Sequence, residues 1–223
     1  MKYLLTVLTN NRPVYLERSI RWFTEHVRPH PVEAVIMDDG GGTPDLHGLL
    51  AEITPWAWRI ERSSPALGQC GAMSVLWQAA RDSSLDWTFH LEDDQVIVRP
   101  VDLNKLRLVL ETHEHIKQMT LMRAPWGAEI EHGGYIPSAP GWYHRHHAGA
   151  SEWIETTRNW AFAPALMHTK LASEFDFPEI QAETAIGPVI REKYPDATFG
   201  LWGWGEPWCA HIGVEKGARA FGY

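Results

Sequence analysis

The first half of the chain alternates short apolar runs with segments of helical spacing, and this alternation restricts the fold more than any other feature. Residues 3–9 and 32–37 are apolar runs of strand length, and the segment between them carries apolar residues every three or four positions. The pattern continues with a helix over 73–80, a strand over 87–91 and a helix over 103–110. This order predicts an α/β fold with a mostly parallel sheet flanked by helices.

Acidic residues close two of the predicted strands. Asp38-Asp39 follows one apolar run, and Glu92-Asp93-Asp94 follows another. Because parallel strands end at the same edge of a sheet, where α/β proteins bind ligands, we expect both clusters to lie together. Adjacent carboxylates raise one another's pKa, so three in a row favour a bound divalent cation, and oxygen ligands suit Mg²⁺ or Mn²⁺. A single acidic pair is more often only the start of a turn, but two clusters at matching strand ends reverse that preference.

The composition argues against several classes of protein. The 223 residues suffice for one domain with a full core, and the net charge of −8 argues against broad electrostatic binding to nucleic acid or to an anionic membrane. Two cysteines outside any CxxC pair predict a reducing compartment, for which the cytoplasm is the default. No stretch approaches the roughly 20 apolar residues of a membrane span, so we expect no transmembrane anchor.

Tryptophan is unusually frequent, with twelve in the chain, and it is concentrated in the second half. A core does not require so many indoles, so their density predicts a surface that stacks on flat or ring-shaped ligands, with loop packing as the alternative. The stretch 125–160 is rich in Gly, Pro, His and Trp without a clean period, which is typical of a lid or binding loop. Within it, His144-Arg145-His146-His147 matches no common zinc spacing and is interpreted as a solvated or phosphate-contacting loop.

Four motifs accompany the predicted strands in chain order. They are Thr9-Asn10-Asn11-Arg12-Pro13, Val35-Ile36-Met37-Asp38-Asp39-Gly40-Gly41, Leu67-Gly68-Gln69-Cys70-Gly71-Ala72 and His90-Leu91-Glu92-Asp93-Asp94. Together they resemble the motifs of GT-A nucleotide-sugar glycosyltransferases, in particular the inverting, metal-dependent enzymes of the family-two type. The last is similar to that family's Asp-x-Asp motif, and Gly41 stands where Ser is usual. The resemblance implies a Rossmann-like GT-A sheet.

The resemblance also implies a role for each matched residue. Asp38 or Asp39 would accept hydrogen bonds from the nucleotide base, and Asp94 would ligate the Mn²⁺ or Mg²⁺ ion that bridges the donor diphosphate. His211 lies in a segment similar to the family's late histidine motif and would complete the metal site. The other positions that the resemblance places around the nucleotide are Thr9, Asn11, Arg12, Gly68, Glu92 and Asp93.

An inverting transferase needs a general base for the acceptor hydroxyl. Glu183 is the first candidate, because it shares the apolar stripe of a predicted helix with Ile180 and Ile186, where its pKa would rise. A surface Glu paired with an Arg is the alternative for this residue. Asp176 is the runner-up, although the segment 176–179 is typical of a helix N-cap that would occupy its carboxylate.

Two aromatic segments predict the acceptor contacts. Residues 159–164 fall where the family places its acceptor-side loop, without the usual Gly. Residues 200–206 resemble the Trp-Gly-Trp-Gly of galactosyltransferases only superficially, so we infer no donor preference from them. The candidates are Trp160, Phe162 and Trp204.

The sequence therefore predicts a single GT-A-like domain over 1–223, with a nucleotide-sugar-binding half (1–124) and a Trp- and His-rich acceptor-binding half (125–223). Its expected function is metal-dependent, inverting transfer of a sugar, most simply from a UDP-sugar, to a hydroxyl of a glycan, lipid, protein or modified nucleic-acid base. One alternative is a sugar-phosphate nucleotidyltransferase, but the loop after the first strand lacks the glycines of such enzymes. Another is a non-catalytic carbohydrate-binding module, which would not require paired acidic clusters.

Overall fold

The computed structural model describes residues 1–123, 143–157, 160–161, 164–179, 182–204 and 206–213, and of residues 182–184 it describes the backbone only. Its strands are β1 (Leu4–Thr9), β2 (Val27–Arg28), β3 (Glu33–Asp38), β4 (Arg59–Arg62), β5 (Trp87–Glu92), β6 (Gln95–Ile97), β7 (Val101–Asp102), β8 (Ile116–Leu121), β9 (Tyr143–Ala148), β10 (Ser151–Thr156), β11 (Ala165–His168), β12 (Thr198–Trp202) and β13 (Cys209–His211).

The helices alternate with the strands of the first half, as the sequence predicts. They are α1 (Pro13–His26), α2 (Leu46–Ile53), α3 (Gly68–Asp82), α4 (Leu103–Thr112), α5 (Lys170–Glu174) and α6 (Ala182–Lys193). Within the described part of the chain, no helix has the length and apolar character needed to cross a bilayer.

One nine-stranded sheet organises the molecule, in the order β4-β3-β1-β5-β11-β8-β12-β10-β9. Strand β1 pairs in parallel with β3 and β5, and β3 pairs in parallel with β4. Strand β12 pairs in parallel with β8, and β11 is an antiparallel insertion between β5 and β8. The expected mostly parallel α/β sheet is confirmed.

The core lies on both faces of this sheet, which explains why its central strands are continuous apolar runs. All six residues of β1 are buried. On one face, α1 and α4 contribute buried residues such as Phe23 and Leu106, and on the other α3 and α6 contribute Trp77 and Ile190. Helical spacing of apolar residues therefore decided which side of each helix faces the sheet.

The register places both acidic clusters at one edge, which we call the carboxyl edge because β1, β3 and β5 end there. Thr9 of β1 lies opposite Asp38 of β3, and Leu8 lies opposite Glu92 of β5. The expectation that the clusters meet is confirmed.

Helix α6 also begins near the carboxyl edge. Strand β12 runs parallel to β8 and so starts at the opposite edge, and only residues 194–197 separate it from the end of α6. The helix packs on the sheet through Ile186 and Ile190, beside Phe199 of β12. A helix that ends at the opposite edge and packs along the sheet must begin toward the carboxyl edge. Its first turn contains Glu183.

Two expectations about local structure are wrong. The histidine cluster is not a loop, because residues 143–148 form β9, which pairs antiparallel with β10 at the edge of the sheet. The predicted N-cap at Asp176 is also wrong, since α6 begins at Ala182 and 176–179 precede it without helical structure. Residues 124–142, which include half of the predicted binding loop, lie outside the described residues.

Candidate active site

The centre of the carboxyl edge is a buried carboxylate held by the loop that follows β1. Asp93 is fully buried, and its Oδ2 accepts hydrogen bonds from Thr9 Oγ1 at 2.7 Å and from Arg12 Nε at 3.0 Å. The backbone N–H of Asn10 donates to the same oxygen at 3.3 Å, and Arg12 Nη2 contacts Oδ1. The first and fourth predicted motifs are therefore in direct contact.

Arg12 joins this carboxylate to its neighbour. Its Nη1 donates to Asp94 Oδ2 at 2.9 Å, so one guanidinium serves two carboxylates. Burial raises the pKa of Asp93 to about 6, although Arg12 and the Thr9 hydrogen bond act in the other direction. Burial also opposes ionisation of Asp94, but the hydrogen bond from His211 and the charge of Arg12 outweigh it and hold the pKa of Asp94 below its usual value.

His211 approaches Asp94 because of a small second sheet. Strand β13 pairs antiparallel with β6, which places His211 opposite Gln95, the residue after Asp94. The backbone N–H of Ile212 donates to the Asp94 carbonyl at 2.8 Å, and His211 Nε2 lies 3.4 Å from Asp94 Oδ2. A Cβ on Gly213 would lie 2.6 Å from that oxygen, so only glycine leaves the carboxylate its present position.

These residues fit a Mg²⁺ or Mn²⁺ ion that takes its other ligands from a substrate. Asp94 supplies an oxygen ligand and His211 a nitrogen ligand, and these two atoms lie close together. No group of three His, Cys, Asp or Glu ligands forms among the described residues. Mg²⁺ commonly binds one or two carboxylates and keeps sites for water and phosphate oxygens, so two protein donors suit it. Arg12 already contacts Asp94 Oδ2 and would share it with the ion.

The two aspartates after β3 have different surroundings. Asp38 turns inward, where its carboxylate accepts hydrogen bonds from the backbone N–H of Thr43 at 3.2 Å and from the Thr43 hydroxyl at 3.0 Å. Asp39 instead accepts from Ser63 Oγ at 2.7 Å and from the backbone N–H groups of Leu67 and Gly68 at 2.6 and 3.0 Å. Of the two, Asp39 therefore organises the surface loops of the carboxyl edge.

The other predicted nucleotide residues surround this carboxyl-edge site. Glu92 Oε1 accepts a hydrogen bond from Gln69 Nε2 at 3.2 Å, which ties the end of β5 to the first turn of α3. Asn11 has a positive φ of 50° and packs against Gly42, whose added Cβ would lie 2.5 Å from Asn11 Cγ. Gly68 opens α3 with a φ of 74°, which favours glycine.

The predicted catalytic and acceptor residues divide between the two ends of the molecule. Trp204 lies just beyond β12, near the carboxyl edge, and the first turn of α6 with Glu183 lies toward the same edge. Asp176 does not: its side chain is 97% exposed and pairs with Arg81 in the last turn of α3, about 20 Å along the helix axis from Gly68. The structure therefore corrects the assignment of Asp176 as a base.

The acceptor candidates also need a correction. Trp160 is 3% exposed and packs edge-to-face against Trp77 and Phe199, so its ring belongs to the core and has no exposed face for a ligand. Phe162 lies outside the described residues.

Sequence reasoning missed three residues that shape the site. Ser63 and Thr43 hold the two aspartates after β3, and Gly213 leaves room for Asp94. The first two follow or precede turns without any motif, so only the fold connects them to the site. Gly213 is the last residue of the segment Cys209-Ala210-His211-Ile212-Gly213 that resembles the late histidine motif, and its place there was the one available signal.

A Rossmann-like sheet of this order, with an Asp-Asp pair and a Glu-Asp-Asp motif on one edge, defines a GT-A-like fold of the kind found in nucleotide-sugar glycosyltransferases. Solved structures of S. aureus TarS, a glycosyltransferase, share it. TarS aligns with a TM-score of 0.62 at 13% identity over 95% of this chain and 37% of TarS.

Two structures of TarS 1–349 align equally well. One has a TM-score of 0.60 at 14% identity over 96% of this chain and 61% of that one. The other, in complex with UDP, has a TM-score of 0.60 at 14% identity over 94% and 60%. The chain thus spans between about a third and three fifths of the structures it matches. No family model matches the sequence, and no curated protein matches it.

Proposed function

We propose that this protein is a glycosyltransferase that moves a sugar from a nucleotide-diphosphate donor to a hydroxyl acceptor, with a divalent metal and with inversion. The observation that carries the proposal is the convergence of Arg12, Asp93, Asp94 and His211 at the carboxyl edge of a GT-A-like sheet. A buried acid pair with a cationic partner and a nearby imidazole suits a ligand that combines metal and phosphate.

The donor would lie across the loops that end β1, β3 and β5. Both aspartates are buried, and Asp39 is the first to test for the nucleotide base because it contacts the loop at residues 63–68, whereas Asp38 contacts Thr43. Thr9, Asn11, Gly68, Glu92 and Asp93 would complete the nucleotide contacts. A TarS structure contains UDP, which supports a uridine nucleotide as the first donor to test.

Asp94 and His211 would hold the Mn²⁺ or Mg²⁺ ion. A bound ion of this kind offsets the negative charge that develops on the leaving diphosphate. Arg12 supports the same charge balance from the protein side, since its guanidinium lies 2.9 Å from Asp94 Oδ2 and forms charge-assisted hydrogen bonds of the type that phosphates accept.

Glu183 would act as the base. Its carboxylate removes the proton of the acceptor hydroxyl while that oxygen bonds to the anomeric carbon, and the bond from this carbon to the diphosphate oxygen breaks. The electron pair leaves with the nucleoside diphosphate, and attack from the opposite face inverts the anomeric centre. The placement of α6 supports this role, because its first turn begins toward the carboxyl edge.

We propose that the two halves of the chain have the separate roles in donor and acceptor binding that the sequence suggests. Residues 1–124 supply the donor-binding loops, and residues 125–223 supply His211, Glu183 and the acceptor side. Trp204 remains a candidate acceptor contact. The proposed site does not include Trp160, because that ring is buried, or Asp176, because it lies at the far end of α3.

The donor assignment is tested by incubating the protein with a panel of nucleotide sugars and Mn²⁺ or Mg²⁺. The measured quantities are thermal stabilisation and slow donor hydrolysis. We expect stabilisation that needs both metal and nucleoside diphosphate and that disappears in Asp94→Asn. The matched control is Asp82→Asn, an exposed carboxylate at the end of α3. Stabilisation of the parent by simple sugars alone, indifferent to metal and nucleotide, would contradict the proposal.

The base is tested by comparing Glu183→Gln with Asp176→Asn. We expect Glu183→Gln to lower transfer by at least about 10²-fold while UDP binding stays unchanged. Asp176→Asn should keep parental turnover, because its carboxylate lies at the far end of α3. Full turnover in Glu183→Gln would assign the proton transfer to another group.

A further inference from the structure

A cleft opens at the carboxyl edge, on the side of the molecule proposed for the acceptor. Its volume is about 360 Å³, which lies within the range of small-molecule sites. It is bounded by the segment after β6, the turn between β9 and β10, and the segment that follows β12. The residues used below are Arg99, Glu152, Trp202, Trp204, Glu206 and Trp208.

Indole rings form one side of this cleft. Trp202 and Trp208 pack edge-to-face with ring centroids 6.2 Å apart, and Trp208 and Trp204 are both partly exposed. A Cβ on Gly203 would lie 2.4 Å from Trp208 Nε1, so the backbone lets this indole approach closely. Arg145 of β9 lies over the Trp204 ring at 4.3 Å and fixes its position.

The charged side chains around the cleft balance in sign, because Asp102 and Lys105, which also line it, carry opposite charges, and the other four form two ion pairs. Arg99 contacts Glu206, and Arg145 Nη2 lies 2.7 Å from Glu152 Oε1. Because each guanidinium is matched by a carboxylate, these pairs offer hydrogen-bond donors and acceptors side by side without a net charge. That combination suits vicinal hydroxyl groups better than it suits a phosphate or a carboxylate.

The cleft adjoins the metal residues but is separate from them. The Trp208 carbonyl accepts a hydrogen bond from Val98 N at one end of the β6–β13 pair, and His211 lies at the other end. Trp208 and His211 are three positions apart along an extended segment, so their Cα atoms lie about 10 Å apart.

We propose that this cleft binds a sugar ring of the acceptor, at a position removed from the hydroxyl that receives the donor sugar. The acceptor is then a neutral oligosaccharide or a glycan-bearing molecule. This inference rests on the proposed function, because only that function makes the bound saccharide an acceptor. The binding of a saccharide to the cleft is argued from the indoles and the paired charges alone.

The test measures binding of neutral oligosaccharides of two to six residues from the gluco-, chito-, xylo- and manno- series, together with their monosaccharides. Saturation-transfer NMR identifies a series that binds, and tryptophan fluorescence gives its Kd. We expect at least one series to bind more tightly as it lengthens, with affinity about tenfold weaker in Trp204→Ala and in Arg99→Ala. The matched controls are Trp22→Ala and Arg21→Ala on α1, which are not among the described residues that line the cleft.

Three outcomes decide the proposal. Absence of binding by every series, or binding unchanged in Trp204→Ala, overturns it. Binding restricted to phosphorylated or carboxylated polyols, and lost at high salt, also overturns it in favour of an anionic acceptor. Failure of the parent protein to bind any nucleotide-sugar donor would refute the proposed function, and the measured saccharide binding would still support the cleft.

Discussion

At the scale of single residues, Arg12 has the most consequential position. The sequence favours a metal ion as the partner of the acids after β5, and the structure adds a guanidinium that contacts both Asp93 and Asp94. Two desolvated carboxylates without a cation would be costly, so Arg12 stabilises the site whether or not an ion is bound.

This position leads to a prediction for Arg12→Gln. Without metal, buried Asp93 and Asp94 lose their cationic partner in this variant, so the free energy of unfolding should fall by about 2 kcal/mol. This loss is smaller than for a fully buried ion pair, because Arg12 is partly exposed. Mn²⁺ should restore more stability to the variant than to the parent. Urea unfolding in EDTA and in Mn²⁺ measures both effects, with Arg21→Gln, an exposed ion pair, as control. Equal stability of variant and parent in EDTA would contradict this reading.

Gly213 allows a second residue-scale prediction. Because an added Cβ would lie 2.6 Å from Asp94 Oδ2, Gly213→Ala should displace the carboxylate from His211. We expect Mn²⁺ affinity, measured by calorimetric titration in the presence of UDP, to fall roughly tenfold or more. Gly149→Ala is the control, since that glycine has open space around it, although its φ of 60° adds some strain. Unchanged affinity in Gly213→Ala would remove Asp94 from the metal site.

At the scale of elements, Arg81 connects α3 to the segment around α5. Its Nε donates to the Ala172 carbonyl at 2.8 Å, and its Nη2 donates to the Phe175 carbonyl at 3.1 Å and to Asp176 at 3.0 Å. Arg81→Ala should lower stability by about 2 kcal/mol, because charge-assisted bonds to backbone are lost. Asp176→Asn should change it by less than about 0.5 kcal/mol, since that carboxylate is exposed. Denaturant unfolding of both variants checks the contrast, and equal losses would contradict it.

Elements with strong periodicity were predictable, and elements defined by distant pairing were not. Strand β1 and helices α3 and α4 show their burial directly as apolar spacing, and the structure confirms them. The segment 143–148 carries histidines and arginine that give no strand signal, and it becomes a strand because β10 offers it a pairing edge. The capping pattern at Asp176 was misleading because no helix begins there, and its exposed carboxylate pairs with Arg81, which is distant in sequence.

The candidate site was predictable to the extent that strand ends determine it. Parallel strands place their carboxyl ends together, so the positions of Asp39 and Asp93 follow from the sheet alone. Which oxygen faces which donor does not follow, and neither does the inward turn of Asp38 toward Thr43. The burial of Trp160 was equally hidden, because indole-rich segments serve cores and ligand surfaces alike.

At the scale of the whole molecule, the two edges of the sheet carry different chemistry. The carboxyl edge holds the Arg12, Asp93 and Asp94 cluster, and the opposite edge holds ion pairs such as that of Lys193 with Glu174. The sheet between them is buried on both faces, so polar residues within it must be satisfied locally. His90 of β5 is such a residue: its Nδ1 lies 3.1 Å from Thr6 Oγ1 in the middle of the sheet.

His90 makes the stability of the entire fold depend on pH. Burial lowers the pKa of His90 to about 3, while in the unfolded chain it would be near 6.5. The folded protein therefore keeps this imidazole neutral, and stability is lost as pH falls below about 6.5, because only the unfolded chain takes up the proton. Between pH 7 and pH 5 this amounts to about 2 kcal/mol. His90→Asn, which retains a polar group near Thr6, should show a loss smaller by that amount in urea unfolding at the two pH values. Exposed His47→Asn should behave as the parent does, and an unchanged pH dependence in His90→Asn would show that the acid sensitivity comes from other groups.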